Sequence, residues 1–238
     1  MHPLDNPVWH ALHGPQCHVA ELDDLAARYL PEVSRFGAFP EPPGPPHWAA
    51  MERLIGPGGV VIVTGYTGSP PEGWGVEYDG IGVQMTGEGV STTPSKGPDG
   101  RPEVDVVALG GADAAEMLEL VELARPGPFA PRTWLLGGYV GVRRDGTLVA
   151  MAGQRFRPPG CTEISAVATH PDHRREGLGE LLVQAVVTGV VARGDVPMLH
   201  VAADNAGAVR LYESLGFTHR GHVRFIAARA PGDPTGRR

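Results

Sequence analysis

The sequence lacks the features that would mark several large classes of protein. Its only two cysteines, Cys17 and Cys161, have no metal-site spacing, and one such pair is no argument for a disulfide in a chain that we expect to be intracellular. The ten histidines form no cluster typical of a metal site. No apolar run is long enough to span a bilayer, and no charged-then-apolar segment opens the chain. We therefore expect a cytoplasmic protein without a metal and without membrane contact.

Positive charge is scarce in one part of the chain. Residues 1–102 hold 5 Lys and Arg against 12 Asp and Glu, whereas residues 103–238 hold 15 of each kind. The net charge of −7 therefore belongs to the first part and argues against a nucleic-acid surface there. Two interpretations stay open: an acidic face toward a cationic ligand, or an ordinary solvated surface.

The most informative stretch runs from residue 163 to residue 194. Residues 164–169 are a β-rich run, and Pro171 ends it because proline has no backbone donor. Gly177 and Gly179 follow, and apolar residues then recur at helical spacing as far as Gly194, where a left-handed residue would close the helix. The pattern predicts a strand, a tight glycine turn and a helix.

The first turn of this helix predicts an anion site. Its unpaired N–H groups and the helix dipole attract negative charge, the glycines allow close approach, and Arg174 and Arg175 add positive charge. The ligand would be a phosphate or pyrophosphate. An ordinary strand-to-helix turn with two solvated arginines is the alternative, and the spacing matches neither of the two common nucleotide-binding loops.

A second segment has a similar order of elements. Residues 198–202 are a predicted strand, Asp204 and Asn205 supply capping side chains, and residues 206–215 are a predicted helix that Gly216 ends. Together, the segments AVATHPDHRREGLGELLVQAV and LHVAADNAGAVRLYESLGF resemble the GNAT superfamily of acyl-coenzyme A-dependent N-acetyltransferases. The resemblance spans about residues 103–228.

The resemblance implies where acetyl-CoA binds. It assigns the pyrophosphate to the backbone of the turn, and the pantetheine arm to the preceding strand, whose amide would face the thioester carbonyl. The implied cofactor-binding residues are Ala166, Val167, Ala168, Thr169, Arg174, Arg175, Glu176, Gly177, Leu178, Gly179, Asn205 and Tyr212. Glu176 departs from the small or basic residue that relatives often have, and its charge would repel a pyrophosphate unless the side chain pointed to water.

The resemblance also implies catalytic and acceptor-binding residues. Tyr212 would protonate the departing thiolate, and Glu163, fourteen residues before the turn's first glycine, would be the base that takes the proton of the amine. Phe129, Thr133 and Trp134 fall where the family places loops that line the acceptor site. The plainer alternatives are a packed tyrosine, a solvated glutamate at a strand end and an asparagine that only caps its helix.

The predicted fold is α/β. A mixed central sheet of the GNAT type covers residues 103–230, and a smaller α/β module, whose length is compatible with a degenerate GNAT-like copy, covers residues 1–100. The predicted elements are strands at 60–64, 81–85 and 103–109, helices at 47–55 and 114–124, a hairpin around Asp145-Gly146, and a final strand pair at 217–220 and 223–227.

The implied function is transfer of an acetyl group from acetyl-CoA to a primary amine, by direct attack of the neutral amine. The acceptor would be a small molecule or a peptide, with no role for nucleic acid, membrane or metal, and a homodimer is one open oligomeric state. The alternative from another class is a regulatory module that binds acyl-CoA without turnover.

Overall fold

The structure is a computed structural model that describes residues 2–92 and 104–232. Its helices are α1 (Pro7–Leu12), α2 (Pro45–Ile55), α3 (Ala114–Ala124), α4 (Leu178–Ala192) and α5 (Ala206–Ser214). Its strands are β1 (Ala20–Asp23), β2 (Ala26–Tyr29), β3 (Gly37–Ala38), β4 (Val60–Thr64), β5 (Gly75–Thr86), β6 (Val107–Ala108), β7 (Val140–Arg144), β8 (Thr147–Gln154), β9 (Cys161–Thr169), β10 (Val196–Ala202) and β11 (Thr218–Arg229). None of the helices in these two ranges has the length and apolarity that crossing a bilayer requires.

Eight of the strands form one mixed sheet in the order β4-β11-β5-β10-β9-β8-β7-β6. Neighbouring strands pair antiparallel, except β9 and β10, which run parallel. Parallel neighbours need a crossover connection, and α4 provides it because it follows β9 and leads to β10. The prediction of an α/β fold with a mixed central sheet is confirmed.

The first hundred residues contribute to two sheets. β1, β2 and β3 form a small antiparallel sheet, and a bridge between Phe36 and Ile62 ties this region to the edge of the main sheet. β4 and β5 belong to the main sheet itself, where β5 lies between β10 and β11. Main-chain hydrogen bonds therefore cross the predicted boundary near residue 100. The division of the chain into parts 1–100 and 103–230 stays a prediction.

Helices α3 and α4 pack on the main sheet through apolar side chains at helical spacing. α4 buries Leu178, Leu182, Val183, Val186, Val187 and Val190. α3 buries Met117 and Leu120 in a cluster with Met151 and Ala168 of the sheet. Each such side chain contributes roughly 1.5–3 kcal/mol to the free energy of folding when it is fully buried. The six apolar side chains of α4 therefore hold the crossover helix against the sheet.

Four acidic side chains of the first part pair with arginines of the second part. The pairs are Asp5 with Arg220, Glu32 with Arg132, Glu77 with Arg229 and Asp79 with Arg224. The hydrogen bond from Arg220 lowers the pKa of Asp5, and that from Arg224 lowers the pKa of Asp79. Part of the excess negative charge of the first part therefore forms ion pairs with the second part, between segments that are distant in the chain.

The predicted final pair of strands is wrong, because residues 218–229 form one long strand. β11 pairs with β5 along its whole length, and the register skips from His219 to Gly221. Arg220 is therefore an extra residue in a β-bulge, which bends a strand without ending it.

The other predicted elements have mixed outcomes. The helix at 114–124 and the strand at 60–64 are confirmed at both ends. The hairpin is also confirmed, and Asp145 (φ 51°) and Gly146 (φ 85°) have the left-handed conformations that a tight hairpin turn needs. The strand predicted at 103–109 is much shorter within the described residues, at Val107–Ala108.

The contact between the small sheet and α2 can be tested at Gly37. A Cβ atom added there would lie 2.8 Å from the side chains of Met51 and Val61 and 3.0 Å from the backbone oxygen of Ala27. We expect Gly37→Ala to lower the free energy of unfolding by about 1–3 kcal/mol, since Val61 is rigid and the site is already filled. Urea unfolding measures this. Gly89→Ala is the matched control, because a Cβ there has nothing within 4 Å, and an equal loss in both variants would contradict the overpacking.

Candidate active site

β9 and β10 pair at one end only. The parallel ladder joins Val196 to Cys161, Pro197 to Thr162 and Met198 to Glu163, and no further pair of these strands follows within the described ranges. Beyond this point β9 keeps β8 as its neighbour, and β10 keeps β5. The two strands therefore diverge and leave a gap between facing strand edges. An extended ligand with amide groups can pair with such an edge as an added strand does.

A β-bulge lies on the β9 side of this gap. Ala166 and Val167 together oppose a single residue of β8, Ala152. Ala166 has a φ of 52°, a left-handed conformation that residues with a Cβ seldom adopt. Because a bulge changes the direction of the local backbone groups, the N–H groups here differ in direction from those of a regular strand. The predicted strand residues, which include Ala168 and Thr169, all lie on the part of β9 that pairs with β8 and has no partner in β10.

The predicted anion turn has a backbone that suits an anion. Arg175 (φ 68°) and Gly177 (φ 80°) are both left-handed, and Gly177 immediately precedes α4. Left-handed residues in a turn direct successive N–H groups toward one point, and the helix start adds its dipole. Leu178 and Gly179 lie in the first turn of α4, and Arg174 lies just before the two left-handed residues. The six predicted turn residues are therefore consecutive at the start of α4, where Leu178 is buried and residues 174–177 are exposed.

Glu176, the unusual residue of this turn, has a partner close by. One of its carboxylate oxygens lies 3.1 Å from Nδ1 of His173. The Glu176 side chain is 41% exposed, so water screens its charge in part. This screening weakens the repulsion expected between Glu176 and a pyrophosphate.

Asn205 and Tyr212 lie at the start and near the end of α5. Oδ1 of Asn205 accepts a hydrogen bond of 3.1 Å from the backbone of Ala208, so Asn205 is the N-cap of the helix. Tyr212 is 9% exposed, and its ring contacts that of Phe217. Burial, with a smaller effect of the Glu163 charge, raises the pKa of Tyr212 to about 12. Its hydroxyl is therefore protonated at neutral pH and is a hydrogen-bond donor.

Glu163 is fully buried at the point where β9 and β10 separate. It accepts hydrogen bonds from Nε (2.8 Å) and Nη2 (2.6 Å) of Arg155, from the backbone of Phe156 (3.4 Å), and from Nδ1 of His200 (2.7 Å). Burial alone would raise the pKa of Glu163, but the charge and hydrogen bonds of Arg155, with those of His200, outweigh it and lower the pKa to about 2. The interpretation of Glu163 as a solvated strand-end carboxylate is wrong.

The partners of Glu163 are themselves held on several sides. The guanidinium carbon of Arg155 lies 4.7 Å from the ring centre of Phe36 and 4.6 Å from that of Phe156. Nε2 of His200 lies 3.0 Å from the side-chain nitrogen of Gln84, whose oxygen accepts a hydrogen bond from Arg220. This row of polar side chains crosses β9, β10, β5 and β11 in order, so it fixes four adjacent strands below the gap.

A cavity of about 280 Å³ opens between the two parts of the chain. It is lined by Ser34, Arg35, Ile62, Val121, Gly127, Pro128, Phe129 and Ala130. Of the three predicted acceptor-wall residues, Phe129 lines this cavity. Thr133 does not, because its hydroxyl is buried and donates to the backbone oxygen of Val33. Trp134 lies against Gly111 instead.

Comparisons with known proteins agree with this geometry. The family model described as FR47-like protein matches residues 139–226. The chain is 38% identical over 110 residues to N-alpha-acetyltransferase RimI of Mycobacterium tuberculosis, an alignment that covers 41% of the chain and 68% of that protein. A crystal structure from Novosphingobium aromaticivorans, assigned to the GNAT family of acetyltransferases, matches with a TM-score of 0.83 and 37% identity over 98% of this chain and 100% of that one. The chain belongs to the GNAT family.

As a GNAT protein the chain is an acyltransferase, and acetyl-CoA is the co-substrate that acetyltransferases of this family use. A shorter match is to mycothiol acetyltransferase of Thermobispora bispora, 41% identical over 90 residues, which covers 34% of the chain and 30% of that protein. The chain therefore spans less than a third of this relative. In the two described ranges, no group of three or more His, Cys, Asp and Glu residues could hold a metal ion.

Sequence reasoning missed the partners of Glu163 in this GNAT site. His200 lies between Leu199 and Val201, which pack in the core with α4, so strand alternation could have assigned His200 to the opposite face. Arg155 follows β8 without any local signal. Residues 34–36 and 62 also contribute to the site, through tertiary contacts. No sequence motif in the first part predicts these contacts.

The ion pair of Glu163 predicts a large effect on stability. Glu163→Gln leaves the buried guanidinium of Arg155 without its counter-ion, so we expect the free energy of unfolding to fall by about 3–5 kcal/mol. Because the folded pKa of Glu163 is about 2, below its ordinary 4.5, the contribution is present above pH 4.5 and is lost as the pH falls toward 2. Urea unfolding at several pH values measures both effects.

Two further variants control for this result. Glu21→Gln removes a partly exposed pair with Arg28 and should cost less than about 1 kcal/mol. Adding Arg155→Met to Glu163→Gln removes the unpaired charge and should restore part of the stability. If Glu163→Gln were no worse than Glu21→Gln, the buried pair would not carry this role.

Proposed function

We propose that this GNAT enzyme transfers an acetyl group from acetyl-CoA to a primary amine by direct attack of the neutral amine. The observation that carries the proposal is the gap between β9 and β10 beyond Met198 and Glu163. The gap has a bulged strand edge on one side, the anion turn at Arg175 and Gly177 follows that strand, and Tyr212 lies on the helix that follows β10. Acetyl-CoA, with a diphosphate, an amide-containing arm and a thioester, has the chemistry that these three features fit.

The chain's own groups have separate tasks in this proposal. The turn from Arg174 to Gly179 holds the diphosphate through backbone N–H groups, and the edge of β9 from 164 to 169 orients the arm. A backbone N–H at the bulge of Ala166 and Val167 stabilises the negative charge that develops on the carbonyl oxygen. The Tyr212 hydroxyl donates its proton toward the departing sulfur, a role that suits a group whose pKa is about 12 and which stays protonated.

Glu163 acts as a positioning residue in this proposal and not as the base. Its two oxygens accept four hydrogen bonds, and a carboxylate offers about four lone-pair positions, so accepting another proton would require one of these bonds to break. With a pKa of about 2, its carboxylate is also a weak base near neutral pH. Water in the cavity would take the proton of the amine instead.

The experiment that tests the proposal measures release of free thiol from acetyl-CoA with a panel of primary amines, for the wild type and for Tyr212→Phe. We expect thiol release and N-acetylated product with the wild type. In Tyr212→Phe, kcat should fall roughly 10²-fold while the Kd for acetyl-CoA by calorimetry stays the same, because only the proton donor is lost.

Tyr78→Phe is the matched control, since Tyr78 is 54% exposed on β5 and should leave both values unchanged. Binding of acetyl-CoA without thiol release for any amine would support the regulatory module in place of the enzyme. Loss of acetyl-CoA binding in Tyr212→Phe would reassign the tyrosine to packing.

The pH dependence separates the proposed roles of Glu163 and the amine. Since Glu163 stays ionised from about pH 4 upward, the fall of kcat/KM on the acid side should follow the pKa of the acceptor amine. For two amines with different pKa values, the midpoints of the acid limbs of the kcat/KM profiles are therefore expected to differ by the difference between the two amine pKa values. An acid limb at one fixed pH for both amines would indicate a titrating base on the enzyme.

A further inference from the structure

The cavity between the two parts of the chain has its inner walls beside the gap. Phe129 packs its ring edge-on against Tyr139 and belongs to the same apolar cluster as Ala166 of the bulge. On the opposite wall, Ile62 is bridged to Phe36, whose ring covers the guanidinium of Arg155. The two walls therefore lead to the bulge and to the buried ion pair, the two features that flank the divergence of β9 and β10.

The inner lining of the cavity is apolar. Ile62, Val121, Pro128 and Phe129 contribute hydrocarbon surface, and Ser34 is almost buried, with its hydroxyl 3.4 Å from the backbone N–H of Phe36. Such walls favour a hydrocarbon portion of a ligand, since burying it removes apolar surface from water.

Arg35 is the charged residue of this lining, and its side chain is exposed. Within the described ranges it has no ion pair and no side-chain hydrogen bond, whereas the nearby arginines are paired: Arg28 with Glu21 and Arg132 with Glu32. Its backbone oxygen accepts a hydrogen bond from Ile62, so the main chain at Arg35 is fixed at the cavity. A guanidinium in this position presents a planar pair of donors that matches a carboxylate.

We propose that the acceptor is an amine that also carries a carboxylate group, with a hydrocarbon portion in the cavity and the carboxylate bound by Arg35. The inference rests on the proposed function, because the amine must reach the gap from this cavity. It makes Arg35 a specificity-determining residue. None of the described residues that line the cavity is acidic, and Glu32, close to Arg35 in the chain, is paired with Arg132.

The test compares amino acids with their carboxamides as acceptors. The probes are leucine with leucinamide and 6-aminohexanoate with 6-aminohexanamide, so that each pair differs in one charge. For Arg35→Gln we expect KM of the carboxylate probes to rise about 10-fold, because a charge-assisted hydrogen bond to the carboxylate is lost. We expect kcat and KM of the amides to change by less than about two-fold, because the amides do not make this bond. Comparing the carboxylate-to-amide ratio between variants cancels the different amine pKa values within each pair.

Arg132→Gln is the matched control, because it makes the same charge change on the adjacent surface at a residue outside the cavity lining. Arg35→Lys should restore part of the carboxylate preference. An unchanged ratio in Arg35→Gln, an equal change in Arg132→Gln, or acetylation of the amides alone would overturn the inference while the acetyltransferase activity stood. Absence of thiol release with every amine, despite binding of acetyl-CoA, would instead overturn the proposed function on which the inference rests.

Discussion

The buried charge of Glu163 is the constraint on which the rest of the site depends. A carboxylate removed from water is costly unless cations and hydrogen-bond donors surround it, so Arg155 and His200 have to converge on it. Arg155 follows β8, Glu163 lies on β9 and His200 lies on β10. Their contact fastens the strands together at the last paired position before β9 and β10 separate. An electrostatic contact thus holds the closed end of the gap.

The first hundred residues complete this arrangement. Phe36 supplies one of the two rings around Arg155, and Tyr29 reaches the same region through a 2.6 Å hydrogen bond to Gln16, whose amide nitrogen donates to the backbone oxygen of Arg155. Ion pairs between acidic residues of this part and arginines of the second part add further links across the boundary. The excess of acid in the first part is therefore balanced in part within the fold, an outcome between the two interpretations that composition left open.

Local features could be predicted from sequence, and features that join distant segments could not. The turn at Gly177, the hairpin at Asp145-Gly146 and the helix at 114–124 depend on nearby residues and backbone preference, so their patterns were sufficient. The ion pair of Glu163 was missed because a motif gives a position and not its neighbours. The long β11 was predicted as two strands, at 217–220 and 223–227, whereas its pairing with β5 is continuous and accommodates Arg220 as a bulge.

The position of β5 has a consequence for how the protein is made. This strand ends at Thr86, yet both of its neighbours come much later in the chain, since β10 begins at Val196 and β11 at Thr218. A nascent chain on the ribosome holds β5 with both edges unsatisfied until β10 and β11 have also emerged. If the gene were divided between the two parts, one fragment would contain β5 without its neighbours, and the other would contain β10 and β11 without the strand that lies between them. Neither fragment would contain the complete sheet.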